Sequence, residues 1–379
     1  VAPVTVRRTL GRLTHAAVLL TRLGLAGLAL GRIVRAASRR PPVRPTVTPA
    51  TSISVVIPAR DEAARIGPLL EAVVGAPGVT EVLVVDDRST DATATVAATA
   101  GARVLAGAER PEGWAGKAWA LQQGIEAARG EWVVTLDADT RPDPSLPAAL
   151  VARALAERAD LVTAAGSFEC PTPGIRWLHP AMLTTLVYRF GPPGAVAVPP
   201  PDRTMANGQC TVVPRRAFLD RGGMNPVAGH PVEDVALARH LAAAGARVLF
   251  LDAADSLTVR MYDDLGEAWT GWGRSLALPG VEPRRRQLLD LAVVAVAQAL
   301  PLPRLLTRRG DLLDAVLLAV RLGTLAGTSP AYRRRGVAYW ASITADVPAT
   351  VALGLGVARR RQTWRGRNYD VSTLRLPGR

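Results

Sequence analysis

The stretch VVTLDADT (133–140) carries an apolar, β-branched run into two carboxylates, Asp137 and Asp139, two positions apart. Acids at i and i+2 on a strand end can share one divalent cation, and that cation can also hold a diphosphate. A second acidic pair, Asp86 and Asp87, closes EVLVV (81–85) and offers acceptors to a base or a ribose. Pro58, Arg60 and Glu62 end the earlier run SISVVIP (52–58), where a nucleotide can rest. The chain has a single lysine among 46 basic residues, Lys117, inside PEGWAGKAWA (111–120). An ammonium is a compact point charge and a guanidinium a planar fork, so keeping one lysine can carry chemistry. Each feature also has a plainer reading. D-x-D alone is commonly a solvated turn, and Asp86 and Asp87 with Ser89 and Thr90 can cap a helix.

These residues need a scaffold, and the pattern around them supplies one. Strand-like runs at 52–58, 81–85, 102–106 and 131–137 alternate with helical segments at 61–76, 90–102 and 116–130. Asp61 is placed to cap the first helix, and Gly101 to close the second. Such alternation predicts a mostly parallel sheet, with ligands bound beyond the carboxyl ends of its strands. PARDE, DDRSTD and DADT all fall at that edge. GWAGKAWA (113–120) is not a Walker loop, because Ala118 stands where Ser or Thr would hold magnesium. Its glycine-rich turn nevertheless opens a helix whose first amides favour an anion, and Lys117 can swing toward diphosphate oxygens. Trp114 and Trp119 either pack around that lysine or belong to the core.

The formal net charge is +14, which suits a membrane surface, anionic ligands or nucleic acid. No zinc-finger spacing or aromatic RNA-binding motif is present, so nucleic acid is not expected as a partner. Two cysteines, Cys170 and Cys210, are too few for a disulfide framework and fit a reducing compartment. Apolar stretches at 13–31, 288–306, 311–330 and 337–357 approach the ~20 residues of a membrane-spanning helix. Arg22, Pro301 with Pro303, Arg321, and Asp346 with Pro348 disturb them in turn. The first stretch, with GRIVRAASRRPPVR after it and no small-residue cleavage site, reads as a retained anchor. The alternative is a soluble protein with long buried helices. Basic residues at nearly every junction leave orientation unsettled, and the basic end of the chain suggests that only two of the last three stretches cross.

Taken together, VVIPARDE, VVDDRSTDAT, the P-x-GW-x-GK-x-x-A segment, LDADT and VEDVALARHL resemble membrane-associated family 2 glycosyltransferases of the GT-A fold. The similarity runs in order through about residues 50–275 and is nearest to a bacterial subgroup associated with carotenoid and hopanoid synthesis. It extends to the flanking apolar segments and to WRGRNY (364–369). The fold class this implies is α/β: a Rossmann-like GT-A catalytic domain with a mostly parallel central sheet, flanked by transmembrane helices. The expected organisation is an N-terminal anchor and basic linker (1–45), a catalytic domain (50–280), C-terminal membrane helices (285–358) and a basic tail (359–379).

The resemblance also assigns roles. Pro58, Arg60, Glu62, Asp86 and Asp87 would line a nucleotide pocket for a UDP-sugar, with Lys117 and Asp137 against the diphosphate. Asp139, helped by Asp137, would hold Mg2+ or Mn2+. Asp234, with Glu233 beside it, would supply the general base, although an acid at a helix start is also an ordinary cap. Processive relatives carry a Gln-x-x-Arg-Trp signature, and here the region reads RMYDDLGEAWTGWGRS (260–275). Trp269, Trp272 and Arg274 would then form an acceptor and diphosphate platform, and a single sugar rather than a polymer would be added. The implied activity is inverting transfer from a UDP-sugar to a lipid, in a multi-pass membrane protein whose catalytic domain faces the cytoplasm. A polyprenyl-phosphate sugar synthase and a silent sugar-nucleotide-binding membrane protein are the other readings.

Overall fold

The computed structural model describes residues 2–46, 49–359, 361–364 and 367–370; side chains are described at 14, 16–46 and 49–359. A long helix, α1 (Ala2–Arg35), comes first. An alternating unit follows: β1 (Ile53–Ala59), α2 (Gly67–Val73), β2 (Val79–Asp86), α3 (Thr93–Thr99), β3 (Arg103–Ala106), α4 (Gly116–Ala127) and β4 (Trp132–Leu136). Next come β5 (Thr140–Pro142), α5 (Leu146–Glu157), β6 (Leu161–Ala165), β7 (Ser167–Phe168) and α6 (Pro173–Phe190). The sheet unit closes with β8 (Cys210–Pro214), α7 (Arg215–Asp220), α8 (Glu233–Ala243), β9 (Val248–Asp252), β10 (Leu257–Val259) and α9 (Leu265–Ser275).

Seven strands form one sheet in the order β3-β2-β1-β4-β8-β6-β9. All neighbours are parallel except β8, which runs antiparallel to both β4 and β6. Alternation along each strand sends Val55 and Ile57 to one face and Val56 to the other; Val84 and Leu83 divide in the same way. Helices α2 and α5 cover the first face, and α4 and α8 the second. Gly124 allows the close approach of α4, since a Cβ there would lie 2.4 Å from the Val56 side chain. The register pairs Ala59 with Asp86, so β1 and β2 end level with each other. Asp61 does not cap a helix as expected. It has a positive φ of 54°, α2 begins only at Gly67, and its carboxylate instead accepts from the Thr90 N–H at 2.7 Å. The acid is more useful as a tie between two loops than as a cap.

After the sheet unit, α10 (Arg284–Val294), α11 (Pro301–Leu306), α12 (Leu312–Thr328), α13 (Gly336–Trp340) and α14 (Asp346–Ala358) pack against α6, α9 and α1. Backbone strands β11 (Arg361–Trp364) and β12 (Arg367–Asp370) then pair as an antiparallel hairpin. This hairpin holds most of WRGRNY; residues 360, 365–366 and 371–379 of the predicted basic tail lie outside the described residues. Three helical segments among the described residues are long and apolar enough to cross a membrane: Ala16–Arg35, Leu312–Ala331 and Gly336–Ala358. The predicted stretch 288–306 does not join them. It is divided into α10, a π-turn at 295–299 and α11, whose first residue, Pro301, has no N–H to continue the ladder.

The charges that interrupt the apolar stretches meet one another. Arg321 of α12 lies 2.9 Å from Asp346 of α14, and Arg22 of α1 lies 2.6 Å from Asp311 and 2.5 Å from Asp314. Pairing offsets part of the cost of carrying a charge among apolar helices. A second buried set ties helices to the sheet unit: Asp290 receives Arg32, Arg189 and Arg203 at 3.0, 3.3 and 3.0 Å.

Candidate active site

The level ends of β1, β2 and β4 bring their loops to one rim. Asp87 N–H donates to the Ala59 carbonyl, Glu62 N–H to the Thr93 hydroxyl, and Asp61 accepts from Thr90, so the first two loops are laced together. Beyond β4, the Asp137 carbonyl accepts from the Thr140 N–H and hydroxyl, a tight turn that leaves both acids of D-x-D facing outward from the sheet. The N-terminus of α4 presents Lys117 to the same point, and the first turn of α8 presents Glu233 and Asp234.

Lys117 Nζ lies 2.7 Å from Asp137 Oδ1 and 3.2 Å from Glu233 Oε1. Asp234 accepts from its neighbour's N–H, Val235, at 2.8 Å and from the Gly208 N–H at 2.7 Å. A Cβ on Gly208 would sit 3.1 Å from the Asp234 Cβ and 3.2 Å from Lys117 Nζ. Glycine is therefore what allows acid, ammonium and backbone to converge there. Burial is the largest influence on Lys117 and disfavours its charge, but Asp137 and then Glu233 outweigh it and hold the ammonium above its usual range. Burial pushes Asp139 up to about 7, with Asp137 adding repulsion and Lys117 opposing. Glu233 is also pushed up to about 7, chiefly by burial and against the pull of Lys117. Asp234 moves upward for the same reasons.

A cavity of 900 Å³ collects these groups. Pro58, Arg60, Glu62, Asp87, Lys117, Asp137, Asp139, Glu233, Asp234, Trp272 and Arg274 all line it. Asp86 and Trp269 do not. Asp86 accepts from the Ser89 N–H within its turn, and Trp269 packs among α6, α9 and α14. Trp114 and Trp119 stack edge to face on each other, 5.0 Å between centroids, and neither lines the cavity. The lining also includes apolar residues, Leu183, Leu186, Val187 and Phe190 of α6, and Gly327, Pro330 and Ala331 at the end of the second apolar segment.

Asn207, Gly208 and Gln209 were not anticipated, yet they line the centre of the cavity; Gln209 receives the Asp137 N–H on its carbonyl. Their place follows from β8 running antiparallel: its beginning, not its end, reaches the rim. An amide-glycine-amide triplet before CTVVP was the one available signal. Tyr262 was also missed. It lines the cavity over Gly271, where a Cβ would meet its ring at 2.4 Å.

A cation fits this donor set. Asp137, Asp139, Glu233 and Asp234 face one ammonium, so negative charge is in excess, and Asp139 Oδ1 is buried without a hydrogen-bond partner. Among the described residues no three His, Cys, Asp or Glu side chains form a ready-made metal cluster, so an ion here would complete its shell with ligand and water oxygens.

An α/β sheet with this strand order and rim is the architecture of the GT-A fold, and the comparisons agree. The profile described as "Glycosyl transferase family 2" matches residues 54–221. An uncharacterized glycosyltransferase of Mycobacterium tuberculosis is 34% identical over 203 residues, covering 54% of this chain and 84% of the relative. The 4,4'-diaponeurosporenoate glycosyltransferase of Staphylococcus aureus is 39% identical over 89 residues, 23% of this chain and 24% of that protein. A mannosyltransferase from Pyrobaculum calidifontis, solved in complex with GDP-Man and Mn2+, shares the fold with a TM-score of 0.55 at 19% identity, covering 89% of this chain and 98% of its own. The chain belongs to glycosyl transferase family 2 and is a glycosyltransferase.

Proposed function

We propose that the protein is an inverting, metal-dependent transferase that moves a sugar from a nucleoside diphosphate donor, read as a UDP-sugar, to the hydroxyl or carboxyl of a membrane lipid. The observation that carries this reading is the mixed lining of one cavity: charged groups at the strand ends, together with apolar residues of α6 and of the end of a helical segment long enough to span a bilayer. A partial similarity to a diaponeurosporenoate glycosyltransferase supports an apolar acceptor. The catalytic unit faces the cytoplasm, where such donors are made, and the apolar helices hold it at the membrane.

Pro58, Arg60, Glu62 and Asp87 receive the nucleoside. Asp139 and Asp137 hold Mg2+ or Mn2+, which when bound draws off the charge growing on the departing diphosphate. Lys117 adds a fixed positive charge for the same leaving group. For a hydroxyl acceptor, Asp234 accepts the proton as the acceptor oxygen attacks the anomeric carbon from the face opposite the diphosphate, which leaves; a carboxylate acceptor attacks already ionised. Two backbone N–H donors steady the Asp234 carboxylate for that task. Trp272 and Arg274 lie where the acceptor passes.

The test is direct. The full chain in lipid nanodiscs is titrated with UDP-glucose and GDP-mannose, with and without Mn2+, and nucleotide release is followed with membrane lipid extract as acceptor. Metal-dependent binding and lipid-dependent release are expected. No metal-dependent affinity for any nucleoside diphosphate sugar would sink the reading.

Two further results are expected. Lys117→Arg lowers turnover about tenfold or more with the melting temperature nearly unchanged, because a planar fork does not fit among Asp137, Glu233 and Gly208. Parent kinetics in this variant would return the lysine to coincidence. The second concerns pH. Asp139 must be ionised to hold a cation and its proton leaves near 7, so apparent Mn2+ affinity falls about tenfold per pH unit below that point. Calorimetric titrations at acid and alkaline pH decide it; equal affinities would contradict the assignment.

A further inference from the structure

The loop between α6 and β8 holds six successive uncharged, exposed residues, 196–201 (VAVPPP), with Val198 83% exposed and Val196 47%. A soluble surface rarely leaves such a run uncovered. This one is held out at both ends. On one side the Val196 N–H donates to the Ser38 carbonyl at 2.9 Å and the Arg40 N–H to the Gly194 carbonyl at 2.7 Å. On the other, Asp202 pairs with Arg286, and Arg203 with Asp290 at 3.0 Å, both on α10. The first anchor point lies three residues past Arg35, where the apolar segment Ala16–Arg35 ends. The loop therefore stands where that helix leaves its apolar layer.

Three features fit the loop to a lipid surface. Pro199, Pro200 and Pro201 have no N–H, that of Val196 is already spent, and the Pro200 and Pro201 carbonyls accept from Arg203 and Thr204, so few backbone donors would be stranded in an apolar phase. Exposed apolar side chains also occur at the end of α1, Val34, and on α10, Leu288 and Leu289. The two segments that hold the loop carry exposed arginines, Arg35 and Arg39 on one and Arg284 and Arg285 on the other, which suit anionic headgroups, although Arg39 also pairs with Asp252. Just before the loop, Gly191, Pro192 and Pro193 line the catalytic cavity.

We propose that residues 196–201 form a wedge inserted into the headgroup and upper acyl region of an anionic membrane leaflet, beside a mouth of the cavity at 191–193. The insertion stands on the loop's own geometry. That the mouth admits the acceptor rests on the lipid-acceptor reading above.

The test separates the two. Cys170 and Cys210 are buried, so Val198→Cys can be labelled selectively with an environment-sensitive fluorophore in the full chain. Glu112→Cys, exposed beyond β3 at the other edge of the sheet, is the control. In phosphatidylglycerol nanodiscs the label at 198 is expected to shift to the blue and to be quenched about twofold or more by brominated acyl chains, while the label at 112 is unaffected. Water-like emission quenched by iodide overturns the proposal, as does a blue shift without acyl-chain quenching, which would mark a protein contact. The double variant Val196→Asp with Val198→Asp then addresses the portal. Nucleotide-sugar affinity stays at the parent level while turnover of membrane-borne acceptor falls about tenfold. Lipid quenching at 198 with unchanged turnover would keep the wedge and remove the portal; absence of any lipid acceptor would leave the quenching result standing by itself.

Discussion

Asp139→Asn is expected to remove Mn2+-dependent donor binding and to lower turnover by ~10²–10³-fold, the scale of losing one preorganised charge from a transition state. The substitution keeps the shape of the side chain and takes away its charge. The partnerless, buried Oδ1 is the atom best placed to meet a cation, since the carboxylate of Asp137 is already engaged by Lys117 at 2.7 Å. Calorimetry of UDP-sugar binding with and without Mn2+, alongside nucleotide release, provides the measurement. Metal dependence that survives in the variant would move the site to Asp137 or away from the D-x-D altogether. The fold should persist, because the turn around 137–140 is held by backbone atoms of Asp137 and by Thr140.

Asp234→Asn carries the other large effect, a ~10²–10⁴-fold loss in kcat, the usual contribution of a well-placed base. Donor affinity should stay within about twofold, since an interaction made only as the proton moves does not alter ground-state binding. Two acids compete for this role. Glu233 is 7% exposed at its side chain and spends Oε1 on Lys117 at 3.2 Å, so it is held by the leaving-group cation. Asp234 faces the Gly208 loop, supported by N–H groups that leave it further lone pairs. Single-turnover assays on both variants distinguish them. Parent-like turnover in Asp234→Asn would pass the role to Glu233.

Much of the rim was legible in the sequence because parallel strands always deliver their carboxyl ends to one edge. PARDE, DDRSTD and DADT needed only that rule to be brought together, and Lys117 only the additional rule that a helix N-terminus faces the same edge. Sheet direction was the first thing the rule missed. An apolar run such as CTVVP reads the same in either direction, so Gly208 and Gln209 stayed invisible until β8 proved antiparallel. The tryptophans of α9 were the second. Positions 269 and 272, three residues apart, share nearly one face of α9 and both pack among α6, α9 and α14; only Trp272 also reaches the cavity, a difference that the surrounding helices set and the helical period does not.

The same division holds for the apolar layers. Sequence alone determined the order of the elements, the D-x-D, the lone ammonium and where hydrophobic length collects, since each depends on local pattern. Only the tertiary structure decided that Arg321 meets Asp346, that 288–306 breaks at a π-turn and Pro301, and that a proline-rich loop stands beside the end of α1. Charge pairing and burial are properties of chain segments far apart in number, and no local period encodes which of them will touch.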